Sequence, residues 1–378
     1  MNRRRSCFGI FVHRSVHYGA VRCGYGTQEA SSEGPDGQTT RDSYRLLING
    51  FIRPALGTTP LAQLCRQGPR PFEQFYAELR VCRRRCHGRE FMEHRTPRPH
   101  ECDERCAPHV CKPLAVSSVR QCHAVLSGAL SAAKRWGWIT VNPLDAAQWP
   151  RIPQPQPDPP SAEEAAKIAN AAWAQDADWG TFVWLTFVTG ARRGELVALA
   201  WEHVDLVSGL LTIRRNLVRR NGTTILKDTK THQMRVIKLD EDTITILSQH
   251  KARAEQRCAD LDTTLDDHAF VFSYAPDHRR HCDPDAITHR YAKMTADLGI
   301  DTHLHALRHY SATELLAGGV DLRTVAGRLG HAGGGATTLK VYAAWLAGAD
   351  TKAADLIASR LPRPPQMFGG EPNHPVGA

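Results

Sequence analysis

Residues 305–345 read HALRHYSATELLAGGVDLRTVAGRLGHAGGGATTLKVYAAW, and the spacing of their polar side chains governs how the rest of the chain is read. His305 and Arg308 stand three apart, which places them on one face of a helix. Leu329-Gly330-His331 follows, and Tyr342 comes eleven residues after His331. Two upstream segments belong with this one: TGARRGELVAL at 189–199 and TKTHQMRVIKL at 229–239. Singly, each residue has a bland explanation. A tyrosine on a helix is usually a half-buried packing residue, an Arg-Gly pair a surface turn, and a lysine beside a hairpin a solvated charge. The weight lies in their joint occurrence and order.

Around these segments the pattern changes from helix to strand and back. Residues 161–174 and 180–200 have helical spacing. Ser161 followed by Glu164 is a capping-box signature, so a helix begins there. Residues 209–239 are rich in β-formers, and Asn221-Gly222 between two such runs signals a hairpin. Helical spacing returns after Leu239 and continues to about Leu361, and residues 363–378 form a loose tail.

Upstream, six of the eleven residues from Pro150 to Pro160 are proline. Such a run is stiff and extended and resists both helix and sheet, which makes 150–160 the linker between two domains. Residues 1–40 carry no periodicity, and EASSEGPDGQTT at 29–40 reads as polar linker. Order is expected from Asp42, where Tyr44, Leu46, Leu47, Phe51 and Ile52 give a helical spacing that ends at Pro54. A second helix is expected over 116–136, and Asn142-Pro143 marks a break after it. The expected class is mainly α with a small antiparallel sheet. Its parts are a helical domain over 41–149 and an α+β domain over 161–362.

The 378 residues suffice for two domains, and 42% hydrophobic content supplies their cores. A formal net charge of +9 favours a polyanionic partner without naming it. No apolar run reaches the length of a membrane-spanning helix. The odd count of eleven cysteines, five of them between Cys82 and Cys111, is not a secreted disulfide framework and suits a reducing, cytoplasmic setting. The segment 82–111 holds Cys82, Cys86, Cys102, Cys106, His109 and Cys111, with His87, His94 and His100 among them. Zinc takes four such ligands in a closed tetrahedral site, and Cys82 and Cys86 share a face if they lie on a helix. A structural zinc here and a reduced, cysteine-rich basic loop are both open.

Taken together, the segments resemble the tyrosine site-specific recombinase (phage integrase) family. His305 and Arg308 match its His-x-x-Arg pair, and Leu329-Gly330-His331 its second histidine box. Tyr342 stands at the nucleophile's spacing. Thr189-Gly190-Ala191-Arg192 resembles the box of the first arginine, and Lys230 the hairpin lysine. Residues 41–64 and 116–143 resemble the core-binding domain. The resemblance implies a recombinase that cuts and rejoins duplex DNA through a 3′-phosphotyrosyl link on Tyr342, integrating or excising a mobile element.

The residue types suit that chemistry. A phenol with an ordinary pKa of about 10 needs help losing its proton, and arginines grip phosphate oxygens by charge-assisted bonds. By the resemblance, Arg192 and Arg308 clamp the phosphate, Lys230 is the general acid and His305 the general base. His331 donates to the phosphate or supports the transition state, and Glu195 orients the arginine helix. No cofactor is required for that step. The implied partners are attachment-site DNA, three further copies in a tetramer, and an accessory directionality factor. A type IB topoisomerase uses nearly the same residues. An integrase remnant that only binds DNA and a zinc-dependent binding module are the other readings.

Overall fold

The computed structural model describes residues 35–151, 157–220, 223–228 and 234–331. The chain divides into two compact units, Met1–Gln154 and Pro155–Ala378, so the division falls inside the proline-rich run.

The first unit is helical. Helix α1 spans Pro35–Leu47 and starts ahead of Asp42, inside the stretch expected to be linker. Proline suits a first helical turn, where its missing N–H has no intrahelical acceptor to lose. Pro54 does not end the helical run either. A π-helical turn over Ile48–Ile52 leads into the short α2, Arg53–Leu56. The Arg53 N–H reaches back five residues to the Ile48 carbonyl. That wider turn shifts the bonding register just where Pro54 has no N–H to offer.

Helices α3 (Leu61–Gln67), α4 (Arg70–Val81) and α5 (Val116–Arg135) complete the unit. Phe72, Phe75, Tyr76 and Leu79 of α4 share one core with Val119, Val125, Leu126 and Leu130 of α5 and with Ile48 and Ile52. After α5, the Asn142 side chain accepts from the Leu144 N–H and donates to Ser131 Oγ at 3.1 Å, fixing the predicted break.

The second unit opens with α6, Ala162–Gln175. Its capping box is complete: Glu164 N–H donates to Ser161 Oγ, and Ser161 N–H to the Glu164 carboxylate at 2.8 Å. The expected helix over 180–200 is two helices, α7 (Ala177–Thr189) and α8 (Arg193–Val197). Gly190 separates them in the left-handed conformation, φ 58°, a C-terminal stop that only glycine adopts without strain.

Strands β1 (Val204–Asp205), β2 (Leu210–Ile213) and β5 (Arg235–Lys238) form an antiparallel sheet in the order β1-β2-β5. Strands β3 (Arg215–Arg220) and β4 (Thr223–Asp228) form a separate hairpin in which Arg220 pairs with Thr223, so Asn221-Gly222 connects them. Helices α9 (Glu241–Ala259), α10 (Pro284–Asp297), α11 (Leu304–Ala317) and α12 (Leu322–Leu329) follow. The helical stretch expected after Leu239 is thus interrupted between Ala259 and Pro284. Phe182, Leu196, Ile213, Ile237, Leu247, Phe272 and Leu307 share the core of this unit. Among the described residues, no helix is long and apolar enough to cross a membrane.

Candidate active site

Three segments far apart in sequence converge in the second unit. The first is the turn from α7 into α8. Gly190 is confined there twice over, because a Cβ would also lie 2.5 Å from Leu329 Cδ2 on α12. Arg192 follows at the N-cap of α8, with its side chain partly exposed. Glu195, one turn on, is 3% exposed. Its carboxylate accepts from the Arg192 N–H at 2.8 Å and from Arg192 Nη1 at 2.9 Å.

The second segment is β5. Its side chains alternate, with Arg235 and Ile237 inward and Val236 outward. Arg235 is thus a charged residue on a core-facing position. Its Nη2 donates to Glu195 Oε2 at 2.6 Å and its Nη1 to Oε1 at 3.2 Å. Its Nε donates to the Arg328 carbonyl at 2.9 Å. Burial pushes the Glu195 carboxyl up, but Arg235 and then Arg192 outweigh it and hold it below the usual carboxylate range. One buried carboxylate therefore steers two guanidiniums.

The third segment is α11, the following turn and α12. Arg308 is buried, and its Nη1 donates to the Gly190 carbonyl at 2.6 Å. His305 lies one turn before it, keeps contact with solvent, and packs edge-to-face on His309 with ring centroids 5.0 Å apart. Gly330 ends α12 in the left-handed conformation, φ 67°, and a Cβ there would come within 2.8 Å of Arg235 Nη1. Its carbonyl receives Arg192 Nη2 at 3.4 Å, and Arg328 Nη2 reaches the Val188 carbonyl at 3.0 Å. These bonds deliver His331 beside the arginines.

The electrostatics follow from this crowding. Desolvation by the surrounding chain, then the charges of His309, Arg308, His303 and Arg192, push the His305 imidazole down to about 4. Burial, then Arg308 and Arg192, push His331 down to about 4 as well. Burial and neighbouring His303 and Arg308 also lower His309. Both predicted imidazoles are therefore neutral at neutral pH, facing two permanent cations. Such a group attracts an anion and can pass protons without carrying charge of its own.

Of the six catalytic candidates, Arg192, His305, Arg308 and His331 lie together. Lys230 and Tyr342 fall outside the described residues. Arg235 was not singled out from the sequence. The signal was available: in MRVIKL it occupies the same strand face as the apolar Ile237, and an inward arginine requires a buried acid.

The cysteine-rich segment of the first unit departs from expectation. Helix α4 ends at Val81, and Cys82 is extended, φ −148°, so Cys82 and Cys86 do not share a helical face. The six predicted ligands also do not form one group. Cys82, Cys86, His109 and Cys111 make one set, and Cys102 and Cys106 join His94 and His100 in another.

Residues 161–347 match the phage integrase family model. The ICEBs1 integrase from Bacillus subtilis (strain 168) is 26% identical over 182 residues, covering 48% of this chain and 48% of its own length. The chain thus spans about half of that curated relative. Among solved structures, the Tn1549 transposon integrase in complex with transposon right end DNA superposes with a TM-score of 0.66 at 15% identity, covering 93% of this chain and 100% of that one. A lambda integrase tetramer bound to a Holliday junction gives 0.56 at 17% identity, covering 90% and 78%. These likenesses share the two-part fold, a helical unit followed by an α+β unit. With the site of Arg192, His305, Arg308 and His331 inside the matched span, the chain is a member of the phage integrase family of tyrosine recombinases.

Proposed function

We propose that this protein is a site-specific DNA recombinase that cuts and rejoins duplex DNA through a 3′-phosphotyrosyl link on Tyr342. The observation that carries the reading is the convergence of Arg192 and Arg308 with two imidazoles whose pKa is pushed down to about 4, so that both are neutral at neutral pH. A structural cluster would normally neutralise paired arginines with carboxylates. Here Glu195 engages Arg192 and Arg235, while Arg308 is held by a carbonyl. Two guanidiniums beside two neutral imidazoles suit the oxygens of a phosphodiester.

In the proposed step, Tyr342 Oη forms a bond to phosphorus and the bond from phosphorus to the 5′ oxygen breaks. His305 takes the phenolic proton and Lys230 gives one to the leaving oxygen. Arg192, Arg308 and His331 stabilise the charge gathered on the non-bridging oxygens. Reversal by a 5′ hydroxyl from the partner strand rejoins the DNA. Nucleophile, acid, base and phosphate clamp all come from the chain, so the step calls for no cofactor. The helical unit ending in the proline run serves as the core-binding domain. The substrates are attachment sites of a mobile element, acted on in the cytoplasm by four copies, with an accessory factor setting direction. The lambda integrase tetramer on a Holliday junction supports that assembly by analogy.

The test is a labelled duplex from the flanks of the protein's own gene, nicked beside the candidate crossover so that cleavage is trapped. Label should travel with the wild-type protein on denaturing electrophoresis and be absent with Tyr342→Phe. Label persisting on Tyr342→Phe would refute the assigned nucleophile. DNA binding without label on either would favour the binding-only reading.

A further inference from the structure

We propose that the segment between α4 and α5 is a two-zinc module, with Cys82, Cys86, His109 and Cys111 holding one ion and His94, His100, Cys102 and Cys106 the other. The sites are nested: the outer set closes the base of the segment, and the inner set folds its tip.

Four observations carry this. In each set, the four ligand atoms all lie within 4.8 Å of one another. In the outer set, Cys82 Sγ is 3.2 Å from His109 Nε2 and Cys86 Sγ is 3.4 Å from Cys111 Sγ. In the inner set, His100 Nε2 is 3.1 Å from Cys106 Sγ and Cys102 Sγ is 3.4 Å from His94 Nδ1. Zinc–sulfur bonds of about 2.3 Å in a tetrahedron put neighbouring ligands roughly 3.5–3.8 Å apart, close to these separations. A disulfide needs sulfurs at about 2.05 Å and has no use for the histidines. Thiolate and imidazole donors without carboxylate select zinc over magnesium or calcium.

The segment also lacks any other core. From Arg83 to Pro113 the buried residues are Cys86 and Cys106 alone, while Phe91 and Met92 are half-buried and Val110 is exposed. Its regular structure is one short turn, Glu104–Cys106. A loop of this length without apolar burial needs a staple.

The backbone is shaped around the ligands. Arg85, His87 and Ala107 all have positive φ, at 53°, 52° and 29°. Such conformations persist in non-glycine residues where the surroundings enforce them.

Finally, outer partners are in place. His100 Nδ1 donates to the Arg98 carbonyl at 2.8 Å, which turns the Nε2 lone pair toward Cys106. The Arg95 N–H points at Cys106 Sγ at 3.5 Å. At the base, Arg83 N–H to the Lys112 carbonyl and Leu114 N–H to the Leu79 carbonyl bring both ends of the segment together at the outer set.

The full chain, purified under reducing conditions with zinc supplied, should carry two zinc ions by native mass spectrometry and elemental analysis. X-ray absorption should average two and a half sulfurs and one and a half nitrogens per ion. Cys102→Ser with Cys106→Ser should leave one ion with three sulfurs and one nitrogen. Cys82→Ser with Cys111→Ser should also lower the stoichiometry to one. Wild-type protein holding no zinc or one ion would overturn the proposal, with no variant needed. So would a mass showing the cysteines paired as disulfides, or a Cys102→Ser, Cys106→Ser protein that still binds two.

Discussion

Replacing Glu195 separates the two jobs that its carboxylate does. The side chain is 3% exposed and receives four hydrogen bonds, two from Arg192 and two from Arg235. Glu195→Ala leaves the buried Arg235 guanidinium without its counter-charge, a loss of about 3–5 kcal/mol. Glu195→Gln keeps one acceptor but turns an amide N–H₂ toward donors, so about 1.5–3 kcal/mol is expected. Glu195→Leu combined with Arg235→Met removes both charges and should return to within about 1 kcal/mol of wild type. The strong coupling follows from direct contact. Urea titration with hydrogen exchange at α8 and β5 reads the unit concerned. Single-turnover cleavage should nevertheless stay low in the double variant, because Arg192 has lost the carboxylate that aims it. A double variant as unstable as Glu195→Ala would refute the counter-charge role. One that cleaves at the wild-type rate would refute the aiming role.

Two further outcomes follow from the same geometry. His305 and His331 are both pushed down to about 4, so the acid limb of kcat/KM for cleavage should lie near pH 4–5. An imidazole with a depressed folded pKa supports the fold while neutral, and that support is lost as pH falls from about 6.5 toward 4. A limb at pH 6.5 or above would contradict the neutral pair. Gly190→Ala places a Cβ at positive φ and 2.5 Å from Leu329 Cδ2. The left-handed strain of about 1–2 kcal/mol and overpacking of about 1–3 kcal/mol should lower the unfolding midpoint and weaken cleavage. An unchanged midpoint would show that the α7–α12 contact yields freely.

Much of this was legible in the sequence, because helical and strand periods are local. Ser161 and Glu164 announced α6, and Asn221-Gly222 announced the β3–β4 hairpin. His305 and Arg308 shared a face as soon as α11 was drawn. What escaped depended on partners distant in sequence or on rarer backbone geometry. The π-helical turn before Pro54 answers a missing N–H that simple periodicity takes for a stop. Gly190 sits inside an otherwise helical pattern, and the space a Cβ would need there is filled by Leu329 and Ser311, more than a hundred residues on. Arg235 looked like any strand-flanking cation until Glu195 was placed opposite it. The cysteines read as one ligand set because sequence spacing does not reveal nesting, and His94 and His100 belong to the inner set through space alone.

The bonds from Arg192 to the Gly330 carbonyl and from Arg328 to the Val188 carbonyl span 138 and 140 residues. During synthesis the α7–α8 turn emerges long before α12. At about 5–20 residues per second, the delay is roughly 7–28 s. Throughout that interval Arg192 stands without the histidine box, and a chain released early never acquires it. Assembly of the proposed phosphate-binding cluster therefore waits on nearly the whole second unit.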